Sequence, residues 1–191
     1  MAEHALPFDE LNALEAYVSA VLNAKNNGEI TAKQAEDDII DELLDLYLLA
    51  YENGSRYATE VLGEEIPIDE AKLEASVYDK IAGEDFVQRV RGYVEDGTVA
   101  DIIRVADTDN TRIYNDGVLD TAERSDRVVF KRWNTMMDDR VRDTHFYLEG
   151  VAVPLDRAFY TYDGDSAMSP GRFTLASNNV NCRCVVDLIV Q

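Results

Sequence analysis

The segment from Thr31 to Tyr51 sets the tightest limit on how this chain can fold. Thr31-Ala32-Lys33-Gln34 reads as a capping box, in which the Thr hydroxyl and the Gln side chain satisfy amides at a helix start. Directly behind it come Ile39, Ile40, Leu43, Leu44, Leu46, Tyr47, Leu48, Leu49 and Tyr51. These are too many apolar residues for a single stripe. They cover more than one face of a helix, so that helix has to be central, with partners around it. The flanking sequence supplies them. Phe8, Leu11, Leu14, Tyr17, Val18, Val21 and Leu22 recur at three- and four-residue intervals, and Asn26-Asn27-Gly28 stops that first helix. The central helix is expected to end at Gly54 or Gly63.

Further helices follow. Ile66-Pro67-Ile68-Asp69 reads as a turn, with Asp69 the N-cap of a helix near 70–82 that Gly83 breaks. Another helix runs to about Glu95, ahead of Asp96-Gly97. Thr98 caps the next one, in which Ile102, Ile103 and Val105 are apolar, and the polar stretch from Asp107 to Arg124 reads as helical. After Asp126 the pattern changes. Residues 127–133 (Arg-Val-Val-Phe-Lys-Arg-Trp) are rich in β-branched and aromatic side chains and predict a strand. Extended segments are also expected at 139–142, 151–155 and 180–190, with a long Gly/Ser/Asp/Pro loop over 163–179. The fold class is therefore α+β: a helical N-terminal segment followed by a small C-terminal unit with antiparallel strands.

Charge divides the chain in the same place. The net formal charge is −20. Residues 1–120 carry 28 acidic and 9 basic side chains, whereas residues 121–191 carry 10 and 9. The acidic part should repel phosphate backbones, which makes direct DNA binding weak or limited to the C-terminal part. An acidic DNA mimic is one alternative; a solvated acidic helical surface is the commoner arrangement. With 46% hydrophobic residues the chain can bury a core. No apolar run approaches the roughly 18 residues of a membrane span. The start, Met-Ala-Glu-His-Ala-Leu-Pro, lacks the basic and apolar regions of a signal peptide. The expectation is a chain made in a reducing cytoplasm, with no membrane partner.

The residues that carry chemistry gather late. The only Trp, both Cys and one of two His fall between Trp133 and Cys184. In an extended chain residues two apart share a side, so Cys182 and Cys184 point one way and Arg183 the other. A disulfide between such neighbours is strained. Two thiols with His145 make a candidate zinc site, with a fourth ligand from Asp138, Asp139, Asp143 or water. The alternative is two small buried thiols beside a hydrogen-bonded core histidine. The run of Asp138, Asp139, Arg140, Arg142, Asp143 and His145 could place a general base beside an acid. No nucleophile motif or phosphate-cradling loop accompanies it, so ion pairs that fix a loop are the simpler reading, and no catalytic residue is assigned. Arg124, Arg127, Lys131, Arg132, Arg140 and Arg142 form a possible but diluted basic strip. Trp133 is expected to anchor the core.

Taken in order, these residues resemble the C-terminal domain of the phage Mu F-like head morphogenesis proteins. That family has a Thr-Arg-x-x-Asn-x-Gly helix, a Lys-x-Trp strand, an Asp-x-Arg-x-Arg-x-x-His segment, a Leu-x-Gly turn, an Asp-x-x-Phe segment, a Pro-Gly loop and an Asn-Cys-Arg-Cys strand. Here the matching residues are Thr111, Arg112, Asn115 and Gly117, then Lys131 and Trp133. Asp138 or Asp139 follows, with Arg140, Arg142, His145, Leu148, Gly150, Asp156 and Phe159. Pro170, Gly171, Asn181, Cys182, Arg183 and Cys184 close the series. The match runs over about 108–191, leaving 1–107 as an acidic helical region. One departure stands out: the family's Pro-Gly-Asp loop is Pro170-Gly171-Arg172 here. The resemblance implies a minor head protein of a tailed-phage virion, present in few copies near the portal. It would bind portal or major capsid protein and act in head assembly, DNA packaging or ejection. Some relatives of the domain are joined to toxin domains, for which 191 residues leave little room. A transferase- or hydrolase-like site around His145, with or without a metal's assistance, is the rival implication.

Overall fold

The structure, a computed structural model, describes the chain from Phe8 onward except Ala82. The expectation about residues 1–7 and the side chain of Phe8 lie outside the described residues. Five helices come first: α1 (Phe8–Asn26), α2 (Ala32–Leu62), α3 (Glu70–Val77), α4 (Phe86–Asp96) and α5 (Val99–Ala122). The smaller elements follow: β1 (Val129–Asn134), α6 (Asp143–Phe146), β2 (Ala152–Pro154), β3 (Phe159–Tyr160), β4 (Ser166–Ala167), α7 (Ala176–Asn179) and β5 (Val185–Val190). The expected α+β order holds. Among the described residues no helix is long and apolar enough to cross a membrane.

The helix starts are where side-chain chemistry places them. Thr31 and Gln34 exchange both capping-box bonds at α2. Asp85 with Gln88 and Thr98 with Asp101 do the same at α4 and α5, and Asp69 accepts from two amides of α3. α2 runs straight through Gly54 and ends at Gly63, whose φ of 67° is the left-handed cap conformation. α3 is shorter than expected, stopping at Val77. Gly83 instead serves a turn in which Ile81 and Glu84 bridge.

α2 packs against α1, α3, α4, α5 and β5, so it is enclosed as its apolar surface requires. Its closest partner is α5, and the crossing is made by two glycines. A Cβ on Gly54 would lie 2.1 Å from the carbonyl oxygen of Tyr114; one on Gly117 would lie 2.3 Å from that of Tyr51. Neither position has room for even a methyl group. The glycine in the middle of α2 is a contact, and the last residue of the Thr-Arg-x-x-Asn-x-Gly series is its counterpart.

α5 is polar in sequence yet buried almost all round, from Asp109 through Leu119. What makes this tolerable is mutual satisfaction of charge. Arg112 lies between Asp109 (3.5 Å) and Asp116 (3.3 Å) and donates to the carbonyl of Ser76 on α3 (2.9 Å). Arg89 of α4 reaches Asp109 from the other side at 2.5 Å. Arg172, where the family pattern has Asp, pairs with Asp116 and with Asp79 just after α3. Gly171 beside it has φ of 86°, and a Cβ there would meet that of Arg112 at 2.8 Å. The chain of charges thus ties α3, α4 and the late loop to α5. α5 continues unbroken across residues 107 and 108.

The sheet has the order β2-β1-β5, antiparallel throughout, with Trp133 opposite Val186 and Lys131 opposite Val153 and Leu188. Val129, Lys131 and Trp133 share its buried face. The outer side of β5 is held by helix side chains. Val186 N donates to Asn115 Oδ1 (2.9 Å), Asn115 Nδ2 donates to the carbonyl of Cys184 (3.2 Å), and Leu188 N donates to Tyr57 Oη (3.2 Å). The expected extended segment at 139–142 is instead a turn, because Asp138 accepts the backbone N–H of Arg140 and closes it. The run 180–190 becomes strand only from Val185.

Three substitutions test this packing by urea unfolding. Gly117→Ala should lower urea-unfolding stability by about 1–3 kcal/mol through overpacking. Gly92→Ala, with nothing within 4 Å of its added Cβ, should raise it by ~0.5–1 kcal/mol as a helix interior normally does. A stabilised Gly117→Ala would mean the crossing is not tight. Arg172→Ala removes the ion-pair partner of Asp79 and leaves Asp116 with Arg112 alone; because Arg172 is partly exposed, a loss of about 1–3 kcal/mol is expected. Unchanged unfolding would show that the ladder does not depend on its last rung.

Candidate functional site

The candidate site is where α6 meets the Cys-Arg-Cys segment ahead of β5. α6 is one turn long and starts after Arg142, whose guanidinium donates to the carbonyls of Ser177 and Val180, both at 2.5 Å. That grip fixes the start of α6 against α7. Thr144 Oγ1 adds a bond to Asn178 Oδ1 at 3.0 Å. His145 is carried inward and is 1% exposed. Its ring lies edge-on to Trp133 with centroids 5.2 Å apart, and against Phe173 at 5.3 Å. Trp133 is fully buried and also meets Phe159 at 5.1 Å.

Asn181 holds φ of 56° and its N–H donates to Thr108 Oγ1 at 3.0 Å, turning the chain toward β5. Cys182 and Cys184 then present their sulfurs to one side, each 3.5 Å from His145 Nδ1. Arg183 points the other way and forms a two-pronged pair with Asp138 at 2.7 and 2.8 Å. The pairing holds the Asp138 carboxyl down at about 2. Asp138, rather than Asp139, makes this contact; Asp139 is exposed, and Arg140 reaches Asp138 at 3.7 Å. Both cysteines are free and buried. The hydrogen bond from Cys184 holds the Cys182 thiol well below its ordinary range, with His145 adding to the effect, and the same bond with burial pushes Cys184 up.

The three donor atoms lie within 4.8 Å of one another, and no carboxylate belongs to the group among the described residues. Asp138 is committed to Arg183, and Asp139 and Asp143 are exposed. The hollow beside the group, lined by Met136, Arg140, Arg142 and Asn181, holds about 10 Å³. That is room for about one water molecule and no larger ligand.

The other motif residues act in holding the fold. Thr111 is buried and its carbonyl accepts from Asn115 Nδ2. Gly150 has φ of 74° and donates its N–H to the carbonyl of Trp133, closing the turn into β2. The basic strip does not form as one surface. Lys131 is buried, Arg132 pairs with Asp187, Arg127 donates to the carbonyl of Leu62, and Arg124 donates to those of Asp120 and Pro67. Alternation within β1 turns Lys131 inward while Arg132 faces out.

Two residues that sequence reasoning did not single out organise the late loop. Asp165 accepts bonds from Ser166 N, Thr174 N and Oγ1, Leu175 N and Asn178 Nδ2. Burial works against its charge, yet these donors keep the carboxyl well below the usual range. Asn179 exchanges two bonds with the backbone of Phe173 and so places that ring on His145. The Asp-x-Asp spacing and Asn178-Asn179 were the available signals, since such residues order turns through their side chains.

Lys131 yields a pH test. Its ammonium donates to the carbonyl of Met168 at 2.7 Å and lies 5.5 Å from the Phe159 ring centroid. Burial lowers its pKa to about 8. Between that value and the ordinary one of about 10.4, the unfolded chain holds a proton that the folded chain lacks, so this group's contribution to stability rises with pH. The stability of the native chain relative to Lys131→Met should therefore climb between about pH 7.5 and 9.5 in urea titrations. A constant difference would place the ammonium in a far more hydrated setting.

Comparison with known proteins gives the chain its relatives. Residues 71–187 match the family model described as "Phage Mu protein F like protein". The chain is 29% identical over 88 residues to the "Minor head protein GP7" of Bacillus phage SPP1, covering 45% of this chain and 29% of that protein. It is 42% identical over 61 residues to the "NAD(+)--arginine ADP-ribosyltransferase EFV" of Enterococcus faecalis, covering 32% of this chain and 12% of that protein. The chain thus spans less than a third of each relative's length. No solved structure matches it. With more than half its length in the match, the chain belongs to the phage Mu protein F like family.

Proposed function

We propose that this chain acts in the morphogenesis of a tailed-phage head as a minor head protein, by binding other head components rather than by catalysis. The observation that carries this reading is the family match over 71–187, which takes in α3 to α5 and nearly all of the strand unit. The similarity to an SPP1 minor head protein points the same way. Two physical features support binding over catalysis. Arg112, Asn115, Arg142 and Arg183, the polar residues an active site would need, are spent on internal contacts. The hollow at His145 is also too small for a substrate.

Portal or major capsid protein is the partner this reading favours, in or near the head of the virion, with a role in packaging or ejection. α2 offers a docking face of suitable charge. Asp37, Asp38, Asp41, Glu42 and Asp45 are all exposed along its first half, beside Leu49, which is 48% exposed. Such a face repels nucleic acid and attracts a basic protein surface. The matched part of the ADP-ribosyltransferase is 12% of that protein, a similarity too short to bring the activity in its name here.

The test is genetic and compositional. Particles of the phage or prophage that encodes the chain should contain it in a few copies by quantitative mass spectrometry. Deleting the gene should reduce DNA-filled heads. Normal head yield and DNA content without the gene, together with absence from wild-type particles, would overturn the reading.

A further inference from the structure

We propose that His145, Cys182 and Cys184 bind one zinc ion through Nδ1 and two thiolates, with a water molecule as fourth ligand, and that this ion clamps α6 to the entry of β5. Three separate features of the geometry lead there. Tetrahedral zinc has Zn–S distances of about 2.3 Å and Zn–N of about 2.0–2.1 Å, which set N···S edges of about 3.6 Å. Both N···S distances here are 3.5 Å, from sulfurs on one side of the chain to the same nitrogen. A cysteine pair packed only as small hydrophobes has no reason to converge on one ring nitrogen at equal distance.

Burial is the second feature. The three residues are 1%, 3% and 4% exposed. Binding displaces two thiol protons to solvent, and two thiolates balance the two charges of the ion, so the closed site is neutral and suited to a dry interior. The donor set of two sulfurs and an imidazole matches borderline-soft zinc and disfavours magnesium or calcium.

Third is the space that remains. The hollow next to the group has room for one water and is lined by Arg140, Arg142 and Asn181, and among the described residues no carboxylate joins the three donors. A water-completed site follows, closed to larger ligands. Asn181 in its left-handed turn aims the Cys-Arg-Cys segment, and Arg142 holds the start of α6, so both ligand-bearing segments are set in place by contacts outside the ligand group.

The test uses the full chain, expressed in zinc-containing medium and purified under reducing conditions without chelator. Elemental analysis should find about one zinc per chain. Both thiols should resist a disulfide reagent until a chelator is added, and the melting temperature should fall on chelation and recover with zinc. Cobalt added to the stripped protein should give the intense visible and near-ultraviolet absorption of tetrahedral cobalt–thiolate. Cys182→Ser and His145→Ala should each weaken metal retention at least tenfold. The wild-type cobalt spectrum is decisive by itself, independent of whether the variants fold. A folded wild-type chain without metal, whose melting is unmoved by zinc and whose cobalt spectrum is octahedral, overturns the proposal. A Cys182–Cys184 disulfide in the freshly purified protein does so as well.

Discussion

The closeness of α2 and α5 is the constraint on which the rest of this molecule depends. Gly54 and Gly117 let two helix backbones touch where any side chain would collide with a carbonyl oxygen. Because the helices meet there, Asn115 is near enough to bond the backbone of Cys184 and Val186, and Tyr57 can reach Leu188. The strand unit therefore sits on the helices through hydrogen bonds between helix side chains and strand backbone.

The polar character of α5 is explained by the same arrangement. A helix pressed on all sides usually has an apolar surface. This one instead carries Asp109, Arg112 and Asp116 inward: Arg112 meets both carboxylates within the helix, α4 brings Arg89 to Asp109, and the Pro170-Gly171-Arg172 loop brings Arg172 to Asp116. Such a ladder adds little net stability over an apolar core, since desolvation offsets much of the attraction. What it imposes is register: a one-residue slip of α5 would leave several buried charges unpaired. The Arg at position 172, a departure from the family's acidic loop, fits because Asp116 and Asp79 both face it.

Much of this was legible in the sequence, and the failures have definite causes. Capping boxes, the enclosed central helix, the change to strands after Asp126 and the shared orientation of the two cysteines could be read from local chemistry. Gly54 was misleading as a possible helix end, because a glycine required by a neighbouring backbone looks the same in sequence as one required by a cap. The polar run in α5 gave no sign of burial, since burial of charge is decided by partners 20 to 60 residues away. The basic strip failed for a simpler reason: alternation along β1 separates Lys131 from Arg132. At the candidate site the residue types were apparent early, but their convergence depends on Arg142, Asn181 and Phe173, whose roles exist only in the folded chain.

The contacts along the outer side of β5 also bear on how this chain meets others. A sheet offers two edges to an incoming strand, and open edges are where strands add. On one edge the N–H groups of Val186 and Leu188 are already taken by Asn115 and Tyr57. On the other, β2 is three residues long and ends in Pro154, which has no N–H to give. Both routes to strand addition are closed or nearly so. Through this sheet, then, a neighbouring chain has little backbone left to pair with, and any contact made there falls to side chains, where charge and shape choose the partner.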